Sequence, residues 1–283
     1  MIFKNSNDVI WTWPKILLAM LLLLLLPACT QFLFQPQRIL FTTPDQFGVV
    51  YEQVRLESSD KTDLHGWKLQ AKAEQRGTIL FFHGNGENIS SHFLNVHWLT
   101  DFGYDVYLFD YRGYGRSEGV AQLDAVIEDA TAMLNYGVSK LAKDEKLIVI
   151  GHSLGGSLGI HAVAHSEHKA RIKTLISVEA FSDYHEVAQD VLATGWLTWL
   201  FQWPLSFTVD NSYRPLDSVA QISPVSLMLM HSKQDEMIPV THAEALYQAA
   251  EEPKKLQLVS GSHNEIFNQK KNRGLRLRHL NER

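Results

Sequence analysis

Cysteine is almost absent: Cys29 is the one thiol in 283 residues. No intrachain disulfide can form, so burial alone must hold the fold. Positive charge is in short supply too, with 26 Lys and Arg against 31 Asp and Glu and a formal net charge of −5. A chain without a basic footprint is not expected to bind nucleic acid. Internal repeats and low-complexity linkers are also missing. A length of 283 residues, 45% hydrophobic, suits one large domain or two small ones. The longest apolar run, Ile16 to Leu26, has eleven residues and lies between Pro14 and Pro27. A spanning helix needs about 20 apolar residues, and this run falls short.

What the run does fit is the h-region of a secretory signal peptide, placed after Lys4 and Lys15. Leu26-Pro27-Ala28-Cys29 follows directly and resembles a bacterial lipobox. That resemblance implies a signal peptide over 1–28, a fatty acyl group such as palmitate on Cys29, a lipid-anchored tether over 29–44 and a folded domain over 45–283. An uncleaved signal anchor with an unmodified Cys29 is the other reading. Both put the body outside the cytoplasm on a membrane as an exported protein. Thr30 after the cysteine resembles the outer-membrane sorting pattern of a diderm bacterium. Phe32, Phe34 and Phe41 give the tether rings that either brush the membrane or pack under the domain.

From about residue 50, strand-like and helix-like runs alternate. Residues 49–56 and 64–71 read as an opening antiparallel pair, and 78–82, 104–109, 147–150, 172–178, 225–230 and 256–259 as buried strands. Helices are expected over 93–102, 122–140, 157–166 and 243–251. Continuous apolar strands separated by helices predict an α/β fold, a mostly parallel, doubly wound sheet with loops at the strand C-termini forming the site.

Chemistry concentrates at Gly151-His152-Ser153-Leu154-Gly155, between the strand ending at Ile150 and a helix-like run. Gly-x-Ser-x-Gly in that setting is a nucleophile elbow. The turn is too tight for side chains at the flanking glycines, and it pushes Ser153 out at the tip. A nucleophilic serine needs a base, an acid that orients the base, and donors for the oxyanion. His263, in Ser260-Gly261-Ser262-His263 beyond the last strand, is placed to be the base. Asp235, on the polar loop after the strand 225–230, is placed to be the acid; Glu179 and Asp183, after the preceding strand, are alternatives. The backbone N–H groups of Leu154 and of Asn85, in His83-Gly84-Asn85-Gly86, are the expected oxyanion donors. That loop lacks the Gly-Lys-Ser/Thr ending of a phosphate loop. His161, His165, His168 and His242 sit on or beside helices, and His279 falls in a short basic tail expected to be frayed.

His83-Gly84-Asn85-Gly86, Asp110 through Gly119, the elbow, Asp235 and Gly261-Ser262-His263 together resemble the serine hydrolases of the alpha/beta-hydrolase superfamily, in the compact branch with an HGN oxyanion loop. The likeness spans roughly residues 45–268. It implies the alpha/beta-hydrolase fold, a Ser153–Asp235–His263 triad, no cofactor or metal, and hydrolysis of esters, thioesters or lipid-like acyl groups. Asp110 to Gly119 is similar to a structural turn of that family. A peptidase on the same fold is the nearest rival, and a non-catalytic lipoprotein binding module is the rival from another class.

One segment breaks the alternation. Residues 181–223 form a long excursion between two strands and carry a dense aromatic stretch over 196–203. Three readings stand: a small cap over an apolar pocket, an extra helix on the body, or a membrane-facing element.

Overall fold

A computed structural model describes residues 34–194, 198–263, 265–267 and 269–281. The expected signal peptide and Cys29 lie outside the described residues. Eight strands form one sheet: β1 Tyr51–Glu57, β2 Asp63–Leu69, β3 Gly77–Phe82, β4 Tyr104–Phe109, β5 Leu147–His152, β6 Ile172–Val178, β7 Ser226–Ser232 and β8 Lys254–Val259. Their order is β1-β2-β4-β3-β5-β6-β7-β8. Only β2 runs against the others: it pairs antiparallel with β1 and with β4, and every remaining pair is parallel.

The longer helices are α1 Leu123–Ser139, α2 Leu154–Ala164, α3 Tyr184–Ala193, α4 Thr241–Ala249 and α5 Lys270–Asn281. The parallel strands are apolar at nearly every position because both faces are covered. Along β3, Leu80 and Phe82 enter the core beneath α1 and α2, whereas Ile79 and Phe81 enter the opposite core with Phe93, Trp98 and Phe267. That alternation is the period of two of a strand. This is the expected doubly wound α/β architecture, the alpha/beta-hydrolase fold.

β3 lies between β4 and β5, so the chain leaves it toward one edge and later returns on its other side. The loops after β3 and β5 therefore part at a topological switch point, where open α/β sheets form their clefts. The HGN loop follows β3 and the elbow follows β5.

Two local expectations need correction. The helix expected over 93–102 is a one-turn helix, Ile89–His92, followed by 3₁₀ segments Phe93–Asn95 and His97–Phe102. Val96, at φ −128° and ψ −14°, leaves helical geometry. The Trp98 indole and the Thr100 hydroxyl then take the carbonyls of Asn95 and His97. The tail expected to fray is α5, in which Asn272, Arg276, His279 and Leu280 are buried. His279 Nε2 lies 2.9 Å from Thr174 Oγ1 on β6. The described part of the segment expected as a tether packs against the domain, one of the two placements expected for its rings. Phe34 is buried, Arg38 donates to the carbonyls of Ser117 and Gly119, and the Phe41 N–H donates to Ser90.

Candidate active site

Ser153 sits between β5 and α2 at φ 52° and ψ −118°, a conformation that L-residues rarely adopt. Such strain costs on the order of 1–3 kcal/mol and persists only where the surroundings impose it. They do so here. A Cβ on Gly151 would run into the Gly155 carbonyl, and one on Gly155 into the carbonyls of Phe82 and His83. The Ser153 N–H donates to the Val178 carbonyl at 2.8 Å, tying the elbow to the end of β6. Leu154 heads α2, so its N–H is among the first-turn donors that no helical carbonyl can satisfy.

The HGN loop is held from three sides. The His83 ring packs 4.3 Å from Tyr111, whose hydroxyl donates to the His83 carbonyl. Asp110 accepts from the Ile89 N–H at 2.9 Å. The Asn85 side-chain oxygen accepts from the Tyr114 hydroxyl at 2.7 Å, from the Gly86 N–H at 2.9 Å and from the Gln35 N–H at 2.9 Å. The Asp110–Gly119 turn thus braces this loop. Gln35, Tyr114 and the loop itself come together through backbone and hydroxyl contacts that no sequence motif announces.

Asp235 and His263 meet at 2.6 Å between Oδ2 and Nδ1. The other Asp235 oxygen accepts from the N–H groups of Met237 and Ile238 at 2.9 and 2.8 Å. Burial pushes this carboxyl up, but the His263 bond and the two amides outweigh it and hold it below its ordinary value. Asp235 is therefore ionised at neutral pH and aimed at the imidazole. Glu179, the alternative acid, also reaches this cluster: its Oε2 lies 3.8 Å from His263 Nδ1 and 3.4 Å from His152 Nε2. Burial first, and then the Asp235 charge, raise the Glu179 carboxyl to about 10. Among the described residues neither Glu179 oxygen has a hydrogen-bond partner, and the neighbouring Asp235 charge favours the protonated form. Asp183, the other alternative, caps α3 by accepting from His185 and Glu186, which makes it structural.

His152 is neutral at ordinary pH, because burial and then the neighbouring His263 lower it well below the usual imidazole value. Its ring lies 5.2 Å from His263 and 4.9 Å from Phe267. The loop carrying His263 is anchored from α5: Asn272 donates to the Ile266 carbonyl at 3.1 Å and Arg276 to the Phe267 carbonyl at 2.9 Å. His152, Glu179 and His263 are the one group of potential metal ligands among the described residues. With Glu179 protonated and His263 Nδ1 taken by Asp235, their chemistry suits a proton-sharing network better than a cation.

Two neighbouring cavities reach the site, one at Ser153 and the other at His263. The first, about 320 Å³, has Ser153, Leu154, Asn85 and Gln35 along one side. Its remaining walls include Phe181, Val187, Ala188, Leu192, Leu205 and Val209, and no charged side chain lines it among the described residues. The second, about 330 Å³, is bordered by His263, Ser262, Glu236 and Thr194. Val191 and Met237 line both. Side chains of the 181–223 excursion thus wall the first cavity. α3 is fastened to the body by His242, which meets Ser182 Oγ at 2.8 Å and Asp190 Oδ2 at 2.9 Å.

Similarity to known proteins bears on the family. A protein-family profile described as "Serine aminopeptidase, S33" matches residues 73–213. The uncharacterized protein YfhR of Escherichia coli O157:H7 is 31% identical over 79% of this chain and 76% of its own length. The alpha/beta hydrolase domain-containing protein WAV2 of Arabidopsis thaliana is 33% identical over 74% of this chain and 69% of its own. The chain belongs to the alpha/beta-hydrolase family. Among solved structures, the Pyrococcus furiosus esterase Pf2001 superposes with a TM-score of 0.72 at 19% identity, covering 87% of this chain and 96% of that one. At that identity the likeness speaks to the fold.

Proposed function

We propose that this alpha/beta-hydrolase cleaves carboxylic esters, thioesters or similar acyl bonds through a Ser153–His263–Asp235 triad. The observation that carries the reading is the 2.6 Å contact between His263 and an ionised Asp235, together with Ser153 at the wall of an uncharged cavity. His263 takes the Ser153 proton as Oγ attacks the acyl carbon. The N–H groups of Asn85 and Leu154 hold the oxyanion. His263 then returns the proton to the leaving group, and water resolves the acyl-enzyme by the reverse sequence. Asp235 keeps the ring in the tautomer with Nε2 free to accept.

The two cavities supply a division of labour. The uncharged one beside Ser153 takes the acyl chain, and the cleft with Glu236, Ser262 and Thr194 beside His263 takes the leaving group. An aminopeptidase would need a carboxylate for the substrate ammonium, and the cavity beside Ser153 supplies none among the described residues. Esters of apolar acids with polar alcohols or thiols fit this pair of sites better. The run ending at Cys29 supports placing the enzyme outside the cytoplasm on a membrane through an N-terminal lipid.

The test is a panel of p-nitrophenyl esters and aminoacyl p-nitroanilides against the wild type and Ser153→Ala. Ester turnover should fall by about 10⁴-fold or more in the variant. A fluorophosphonate probe should label Ser153 in wild type. Faster anilide than ester cleavage would make the chain a peptidase, and absence of labelling would make it a binding module. Loss of labelled palmitate incorporation in Cys29→Ser checks the anchor.

A further inference from the structure

Residues 191–209 contain no Asp, Glu, Lys or Arg, although Asp190 and Asp210 flank them. The described side chains of this stretch divide between two surfaces. Leu192, Thr198, Leu205 and Val209 line the cavity at Ser153. Trp199, Leu200, Trp203 and Phe207 turn to the outside, exposed by 56, 70, 61 and 64%. Trp203 and Phe207 lie 6.4 Å apart between ring centroids. A solvated domain gains nothing from exposing four large apolar side chains within one charge-free stretch. Such patches mark a contact surface.

The N-terminal chain identifies the occupant. Phe34 is buried and Gln35 lines the cavity at Ser153, so the chain enters the domain at the mouth of the site. Cys29 is five residues upstream and Leu26, the end of the apolar run, eight. A fully extended chain spans at most about 18 Å over five residues and about 29 Å over eight. Membrane attachment at either point keeps the cavity mouth beside the bilayer. Tryptophan and phenylalanine without accompanying charge suit the headgroup boundary of a neutral lipid, where rings bury apolar area and no anionic lipid is needed.

We propose that the face formed by Trp199, Leu200, Trp203 and Phe207 sits in the interface of a zwitterionic bilayer, and that the enzyme draws its ester substrate from that bilayer. The substrate half of this statement rests on the hydrolase reading above; the surface half does not.

The experiment reconstitutes the full chain in phosphatidylcholine vesicles carrying a bromine-labelled phosphatidylcholine as quencher of tryptophan emission. It is run on Ser153→Ala, so that binding is read without catalysis. Quenching is expected, and it should drop when Trp199 and Trp203 are both changed to Ser. Equal quenching in the two proteins overturns the proposal. So does a patch that stays unquenched yet joins two copies in cross-linking. In the active protein, Leu200→Ser/Phe207→Ser should lower hydrolysis of dioctanoylglycerol held in the vesicles by about tenfold while leaving p-nitrophenyl acetate within about twofold. Equal effects on the two substrates overturn the bilayer source. Failure of the wild type on both esters would instead remove the hydrolase reading and leave the quenching result standing. Circular dichroism confirms that the variants fold, and Leu200→Ser alone provides a milder second variant.

Discussion

Glu179 and Asp235 approach the same histidine from neighbouring strand ends, Asp235 at 2.6 Å from His263 Nδ1 and Glu179 at 3.8 Å. They do so in opposite protonation states, because Glu179 is raised from 4.5 to about 10 while Asp235 is held low. Two carboxylates this close cannot both be charged in a buried setting, and the pair resolves the conflict by storing one proton on Glu179.

The stored proton makes stability depend on pH. Between its ordinary value of 4.5 and about 10, the folded protein holds a Glu179 proton that the unfolded chain releases. The contribution of this group is therefore fully present below about 4.5 and is lost as pH climbs toward about 10. Glu179→Gln keeps a donor for Asp235 and removes the titration. Thermal melts should show the variant more stable than wild type at pH 8, with the gap closing toward pH 4. A variant less stable at pH 8 would refute the protonated assignment. Glu179→Ala removes the donor as well and should lower kcat by about tenfold, whereas the Gln variant retains it.

Tyr114 braces the proposed oxyanion loop, its ring beside His83 and its hydroxyl 2.7 Å from the Asn85 side chain. Tyr114→Phe should lower kcat by about tenfold with little change in KM, because a loosened donor costs transition-state binding rather than substrate binding. Steady-state kinetics on a soluble ester decide it. An effect confined to KM would mean that the hydroxyl serves the substrate and not the loop.

Arg276 is buried against Phe267, its guanidinium 4.5 Å from the ring centre, and its acidity is raised, the pKa falling to about 9 chiefly through burial. Its hydrogen bond to the Phe267 carbonyl anchors the loop that carries His263. Arg276→Met fills the space and removes that bond. Melting temperature should fall modestly and kcat should fall more, by about tenfold or greater. Unchanged kcat in a folded variant would show that the loop holds His263 without α5.

Ala188 and Val209 line the cavity beside Ser153, the proposed acyl site. Wild-type kcat/KM should rise from acetyl to longer acyl esters, since each buried methylene contributes about 0.8 kcal/mol. Ala188→Phe should move the optimum to shorter chains and leave acetyl hydrolysis near its original rate. A profile that ignores the substitution would place the acyl chain in the second cleft.

Much of this site could be read before the fold was known, and for physical reasons. The elbow is legible because Gly151 and Gly155 are sterically compulsory, and Asp235 and His263 because each follows a strand in order. Other parts left no trace. Gln35 contributes a backbone N–H, which any residue but proline could supply. Glu179 reads only as an alternative acid; its burial and its φ of 52° leave no mark in the sequence. α5 is so rich in Lys and Arg that it reads as a solvated tail. Its burial depends on Trp98, distant in sequence, and on Phe267 just ahead of it, whose rings take Arg276. The helix anticipated over 93–102 had the right apolar spacing, yet local side-chain bonds to backbone carbonyls tightened it into 3₁₀ turns.

The bond from the Gln35 N–H to Asn85 has a consequence for how this protein could be shed. The segment that leads toward the proposed N-terminal anchor is also a brace of the HGN loop. A protease that cuts upstream of Phe34 would liberate an intact enzyme. One that cuts between Gln35 and Phe41 would detach the same domain with its oxyanion loop slackened, so that solubilisation and loss of activity become a single event.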